Sequence, residues 1–206
     1  MKTTIRYRNY NFLLVILFSL FIINCSKDDD VPQIENEEEA ITDVKLIFTN
    51  NADLNDKVYA TATDPDGAGV QDLMIQNAIE LDLNKTYTLT FEIFNKSNPS
   101  NEVNIGEEIG EENEDHQFFF GFTDGAFSNP MGDGNIDNPA DAVNYKDTDE
   151  NGHPVGLITE WTTGASAQTG KKFKVRLQHQ PGLKTASSTA DTGDTDLELE
   201  FDLNIQ

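Results

Sequence analysis

One cysteine, one tryptophan and three histidines are all that 206 residues hold of the side chains most used for cross-links, large aromatic anchors and transition-metal ligands. The single cysteine, Cys25, excludes a disulfide within the chain, so stability has to come from an apolar core or from bound ions. Basic residues are scarce as well: 14 Lys and Arg stand against 37 Asp and Glu, a formal net charge of −23. So negative a surface repels phosphate backbones, which excludes nucleic acid as a partner. Long apolar runs are missing. The longest, FLLVILFSLFII from Phe12 to Ile23, has Ser19 as its only polar residue and stops short of the about 20 residues a membrane-spanning helix needs. There is no G-x-S-x-G elbow, no glycine-rich phosphate loop and no histidine with an evident serine partner. The chain is therefore expected not to be an enzyme, and no catalytic residue is assigned.

What the chain does have begins at its start. MKTTIRYRNYN carries Lys2, Arg6 and Arg8 and no acid ahead of the apolar run, the pattern of a secretory signal peptide over residues 1–24. IINC, ending at Cys25, resembles the lipobox of bacterial lipoproteins. That resemblance implies cleavage before Cys25 and lipidation of its thiol. One acyl chain holds a protein only marginally at a bilayer, whereas several anchor it stably. Lys27-Asp28-Asp29-Asp30 resembles the short acidic tag that exports Bacteroidetes lipoproteins to the cell surface. The implied location is the outer membrane, lipid-anchored and displayed at the surface, with the periplasmic face as the other possibility. Residues 25–40, with DDDVPQIENEEEA at their centre, have many acids, one proline and little to bury, and read as a disordered tether.

From residue 41 the dominant period is two. TYTLTFEIF (Thr86 to Phe94), KKFKVRLQH (Lys171 to His179) and DLELEFDLNI (Asp196 to Ile205) each alternate apolar with polar residues, as half-buried antiparallel strands do. Weaker candidates are Thr42 to Thr49, Lys57 to Thr63, Leu73 to Leu81, Gln117 to Phe122 and Gly156 to Thr162. No window past the leader has a sustained helical repeat. Residues 41–206 are thus expected to form one all-β domain, an antiparallel immunoglobulin-like β-sandwich. IELDLNKTYTLTFEIFN, Ile79 to Asn95, is similar to the strand, turn and tyrosine-bearing strand of bacterial immunoglobulin-like and fibronectin type III modules. The basic face of Lys172 to Arg176 complements the acidic face of Asp196 to Asp202, which predicts that these strands are neighbours joined by the loop Gln180 to Thr195.

Two long acidic loops hold the candidate ligands. Asn95 to Asp115 includes EEIGEENED, and Thr123 to Pro154 includes DTDENG, Asp147 to Gly152. The latter matches the first half of a calcium loop, in which Asp147, Asp149 and Asn151 turn alternate oxygens inward and Gly152 allows the bend. The twelfth position is Ile158, so the loop needs an outside acid, for which Glu160 or an acid of GDGNID, Gly132 to Asp137, is the candidate. The competing reading is an Asx-rich turn whose side chains bond their own backbone. His116 follows the acid run directly, and with Asp115 it is a candidate ligand pair for zinc or another transition ion; a structural histidine is the plainer alternative. FFFGF, Phe118 to Phe122, reads as a strand buried on both faces. Trp161 reads as core rather than as a sugar platform.

Taken together, the acidic tether, TATDPDG, EEIGEENEDHQFFFGF, DTDENGHPVGL and VRLQHQPG resemble a set of flavobacterial (Bacteroidetes) outer-membrane lipoproteins that carry the label type 1 periplasmic binding fold superfamily protein. The label's wording implies a two-lobed α/β body, whereas the period-two pattern implies a sandwich. The expected function is capture of a ligand, a metal ion or metal-bearing nutrient, beside a TonB-dependent transporter. The alternative is a structural or adhesive surface module whose acidic loops are stiffened by calcium.

Overall fold

Alternation becomes two packed sheets. In the computed structural model, residues 40–67 and 72–206 are described. The expected signal peptide, the Cys25 lipidation site and residues 25–39 of the tether lie outside them. Among the described residues ten strands form: β1 Asp43–Asn50, β2 Lys57–Thr63, β3 Met74–Ile75, β4 Ile79–Leu81, β5 Thr86–Phe94, β6 His116–Phe122, β7 Phe127–Asn129, β8 Thr159–Thr163, β9 Gln168–His179 and β10 Asp194–Ile205. One sheet has the order β3-β2-β1-β5-β8-β7 and the other β4-β10-β9-β6. Val44, Leu46 and Phe48 of β1 face Phe173, Val175 and Leu177 of β9 and Leu199, Phe201 and Leu203 of β10 within one apolar core. Period-two side chains on both inner faces make that layer.

The chain is therefore an all-β sandwich, and the α/β body implied by the label is not the fold of these residues. Every strand pair is antiparallel except β4 with β10, where Leu203 lies beside Ile79 and Ile205 beside Leu81 in parallel; the second sheet is mixed, not purely antiparallel. From β4 the chain crosses to the other sheet through Asp82 to Lys85. Asn84 takes φ 55° there, a left-handed conformation that asparagine tolerates better than most residues. Beyond the corner the Tyr87 hydroxyl accepts a hydrogen bond from the Asp82 amide at 3.1 Å.

The charge-matched strands do pair: Glu198 stands opposite Arg176, Glu200 opposite Lys174 and Asp202 opposite Lys172. Lys172 Nζ is 2.7 Å from Asp202 Oδ1. Phe118, Phe119, Phe120 and Phe122 are all buried, as is Trp161, whose ring meets Phe120, Phe122, Phe127 and Phe173. The outer edge of β6 is closed by the long loop before β8. Phe122 donates to the Asp133 carbonyl, Asn135 to the Phe120 carbonyl, and Phe118 to the Val155 carbonyl, so this strand has no open edge for another chain to extend.

Two elements depart from the sequence expectation. The first acidic loop contains a helix, α1, Ile105–Glu111, capped by Asn104, whose side chain accepts from the Glu107 amide. Ile105 and Ile109, one turn apart, bury its inner face. The Leu73 to Leu81 candidate is split into β3 and β4, which join different sheets. Among the described residues no helix is long and apolar enough to cross a membrane.

Candidate metal centre

Strand register brings together residues that are far apart in sequence. His116 opens β6 and His179 closes β9, and the antiparallel register sets them directly opposite each other. Both have the parity of the inner-face residues Phe118 and Leu177, so the imidazoles point into the end of the core layer. Their rings stack, with centroids 4.5 Å apart and planes 3° from parallel.

The third residue arrives through an irregularity. Along β10, Thr195 pairs with Gln178 and Leu197 with Leu177, leaving Asp196 as an extra residue in a β-bulge. A bulge turns the inserted side chain out of the simple alternation. Asp196 Oδ2 consequently lies 3.8 Å from His116 Nε2, with both side chains fully buried. Among the described residues, His116, His179 and Asp196 are the one group of three or more His, Cys, Asp or Glu side chains whose ligand atoms fall within 4.8 Å of one another.

The protonation pattern suits a ligand set. His116 Nδ1 sits 3.1 Å from the Glu112 carbonyl oxygen, so the ring proton belongs on Nδ1 and the Nε2 lone pair faces the cluster. A carbonyl behind the ring in this way fixes tautomer and orientation. Burial, with the neighbouring His179, holds His116 below the ordinary histidine range, which keeps the ring neutral near pH 7. His116 Nε2 and His179 Nδ1 are buried and have no hydrogen-bond partner. Orphaned nitrogens inside a protein are costly; because the rings are parallel, one imidazole has to turn about its Cβ–Cγ bond before both lone pairs can meet at a single ion. Two imidazoles and a carboxylate form the donor set of zinc and similar borderline ions.

Gly193 is part of this construction. Its φ is +79°, and a Cβ there would come 2.0 Å from the His179 carbonyl oxygen. Only glycine lets the segment leading into β10 lie that close to the end of β9. The loop then tucks back over the sheet, where Gln178 Nε2 donates to Ala190 O at 2.5 Å and Gln180 Nε2 to Thr192 O at 3.0 Å.

The residues proposed from sequence fare unequally. His116 is in the cluster. Its neighbour Asp115 is directed elsewhere, accepting from the Gly182 amide at 3.2 Å. In the Asp147 loop, Asp147 accepts from the amides of Gly156 and Ile158, and burial raises its carboxyl above the usual range. Asp149 accepts from the amides of Asn151 and His153 and faces Lys184. Asn151 donates to Glu114, while Glu160 pairs with Lys146 and accepts from Asn51. Asp147, Asp149 and Glu160 thus do not converge as the cluster does; the geometry of the loop is that of the Asx-rich turn. Sequence reasoning held His179 only as one of three scattered histidines, with His116 and His153, and missed Asp196. The only signal was positional, a histidine at the start of one strand and another at the end of a second, and it becomes a pair only once the register is known. No protein-family model, no curated protein and no solved structure matches the chain.

Proposed function

We propose that the protein is an outer-membrane lipoprotein, anchored through Cys25, whose β-sandwich captures a divalent transition-metal ion or a compound bearing one, beside a TonB-dependent transporter. The observation that carries this reading is the convergence of His116, His179 and Asp196, with two buried imidazole nitrogens that make no hydrogen bond. The basic start, the apolar run and the lipobox-like IINC support the anchor, and the acidic surface favours accumulation of cations over anions. Three protein donors leave a coordination position open, which is what exchange with an incoming ligand or an acceptor protein requires. The sandwich itself we read as immunoglobulin-like. Tyr87, whose hydroxyl reaches back to the backbone five residues upstream at the crossing between sheets, supports this because a tyrosine corner is a hallmark of such folds.

A second reading has its own support. The cluster is closed to solvent, and a fully buried ion rigidifies a domain rather than passing through it, as befits a structural or adhesive surface module. The two are separated by recovering the native lipoprotein from detergent-solubilised outer membrane and analysing metals and co-purifying proteins in the same sample. Zinc or a related ion together with a transporter supports capture. An ion without a transporter, held through prolonged chelation, supports the structural role. Neither ion nor transporter removes the proposal.

A further inference from the structure

Away from the candidate metal centre, the most deeply buried ion pair among the described residues has the layout of a reaction site. Lys184 Nζ lies 3.0 Å from Asp149 Oδ2, with only 1% of the lysine side chain and none of the aspartate side chain exposed. Lys184 Nζ also donates to the Asn113 carbonyl at 2.6 Å, which fixes the amine in position. The other carboxylate oxygen, Asp149 Oδ1, accepts two backbone hydrogen bonds, from Asn151 N at 3.0 Å and His153 N at 2.8 Å. His153 then turns its ring back, placing Nδ1 3.6 Å from Oδ2.

Each part has a role in acyl transfer. Two amides on one oxygen form a hole for the negative charge that develops when a nucleophile adds to the carbonyl carbon. An amine within contact distance, out of water, is a positioned nucleophile. An imidazole beside the departing oxygen carries protons. Burial lowers the Lys184 amine below the ordinary lysine range against the pull of Asp149, Asp147 and Asp115. Burial also opposes ionisation of Asp149, but the His153 amide and the Lys184 ammonium outweigh it and the carboxyl lies below its usual range. The resting form is therefore the ion pair, and the reactive form is reached by proton transfer within it.

We propose that Lys184 and Asp149 condense to an intramolecular isopeptide bond between Nζ and Cγ. A proton passes from the ammonium to the carboxylate, giving amine and carboxylic acid. Nζ adds to Cγ, and the charge gathering on Oδ1 is held by the amides of Asn151 and His153. The Cγ–Oδ2 bond breaks and Oδ2 leaves as water, taking the acid proton and one proton from the nitrogen relayed through His153. One amide and one water are formed, one positive and one negative charge disappear, and nothing is oxidised or reduced. The bond ties the loop before β8 to the segment between β9 and β10. It supplies a covalent brace in a chain whose only cysteine excludes an internal disulfide.

Peptide mapping of the purified full-length protein tests this. Trypsin acts after Lys146, Lys171 and Arg176, so the expected product is a branched peptide joining residues 147–171 to residues 177–206, lighter than the two linear peptides together by one water. Lys184→Arg should abolish it and return residues 147–171, 177–184 and 185–206 as three linear peptides. His153→Gln should slow its appearance in freshly synthesised protein, and an unchanged rate would remove His153 from the scheme. Quantitative recovery from the wild type of a linear peptide ending at Lys184 overturns the proposal, and this result depends on no variant folding.

Discussion

The rings of His116 and His179 lie parallel, 4.5 Å apart, because they occupy directly opposed positions on neighbouring antiparallel strands. Neither ring is placed by a loop, so the spacing is as firm as the sheet. The register holds the two backbone positions, and a turn of one ring out of the stack is what would bring both lone pairs onto one ion.

Loading the centre should stabilise the domain. At a free zinc concentration about 100 times Kd, an ion that binds only the folded state adds about 2.7 kcal/mol. Thermal unfolding of chelator-treated protein with and without zinc should show that gain. His179→Ala and Asp196→Asn should each remove it, and cobalt should give a tetrahedral visible spectrum in the wild type that both variants lose. A zinc response unchanged in both variants places the ion elsewhere.

Gly193→Ala should be destabilising although it adds a single methyl group. The new Cβ would meet the His179 carbonyl at 2.0 Å, at a φ of +79°, and strain of this kind costs on the order of 1–3 kcal/mol. Urea unfolding measures the loss. Because relief requires moving the end of β9, zinc affinity should fall in the same variant.

Tyr145→Phe should cost about 1–3 kcal/mol, since its hydroxyl donates to the Phe118 carbonyl at 2.6 Å and accepts from Asn135 at 2.8 Å, and both partners are left short. Burial pushes the Tyr145 hydroxyl up to about 12. The folded state therefore holds the proton more tightly than the unfolded chain, whose tyrosine titrates near 10. The contribution is complete below about pH 10 and is lost as pH rises through about 12. Denaturant midpoints between pH 9 and 12 should fall more steeply in the wild type than in Tyr145→Phe.

Arg176→Ala should have a smaller effect. Arg176 pairs with Glu198 across the strands, an exchange worth about 0.2–1 kcal/mol before solvent screening. Burial raises the Glu198 carboxyl, but Arg176 and Lys174 lower it further and leave it below the usual range. Its contribution is therefore present above the ordinary glutamate pKa of about 4.3 and lost as pH falls through the lowered folded value. Added salt should shrink the difference between Arg176→Ala and the wild type, as followed by urea unfolding at low and high ionic strength.

Trp161→Ala should be the most damaging of the single changes. The ring is fully buried against four phenylalanines, and truncation of such an aromatic costs about 3–5 kcal/mol. Near-wild-type stability would mean that the sheets repack around the space.

Much of the fold was written locally. Alternation in Thr86 to Phe94 and in the last two strands dictates half-buried strands, and complementary charges on Lys172 to Arg176 and Glu198 to Asp202 dictate which strands are partners, because both signals act between near neighbours on a pleated surface. Helix α1 was less legible. Its seven residues are too few for a periodic signal, although Asn104 followed three residues later by Glu107 is a start mark. The parallel contact of β4 with β10 and the covering of the β6 edge depend on residues more than a hundred positions apart or on loop backbone, where no local pattern speaks.

The same division runs through the candidate site. The sequence by itself determined the acidic character, the absence of an internal disulfide, the all-β body and the presence of His116 beside an acid run. Only the tertiary structure decided that the partners of His116 are His179 and Asp196 rather than Asp115, since that choice turns on one strand register and one inserted residue in β10. Register is a relation between strands, and no single stretch of chain contains it.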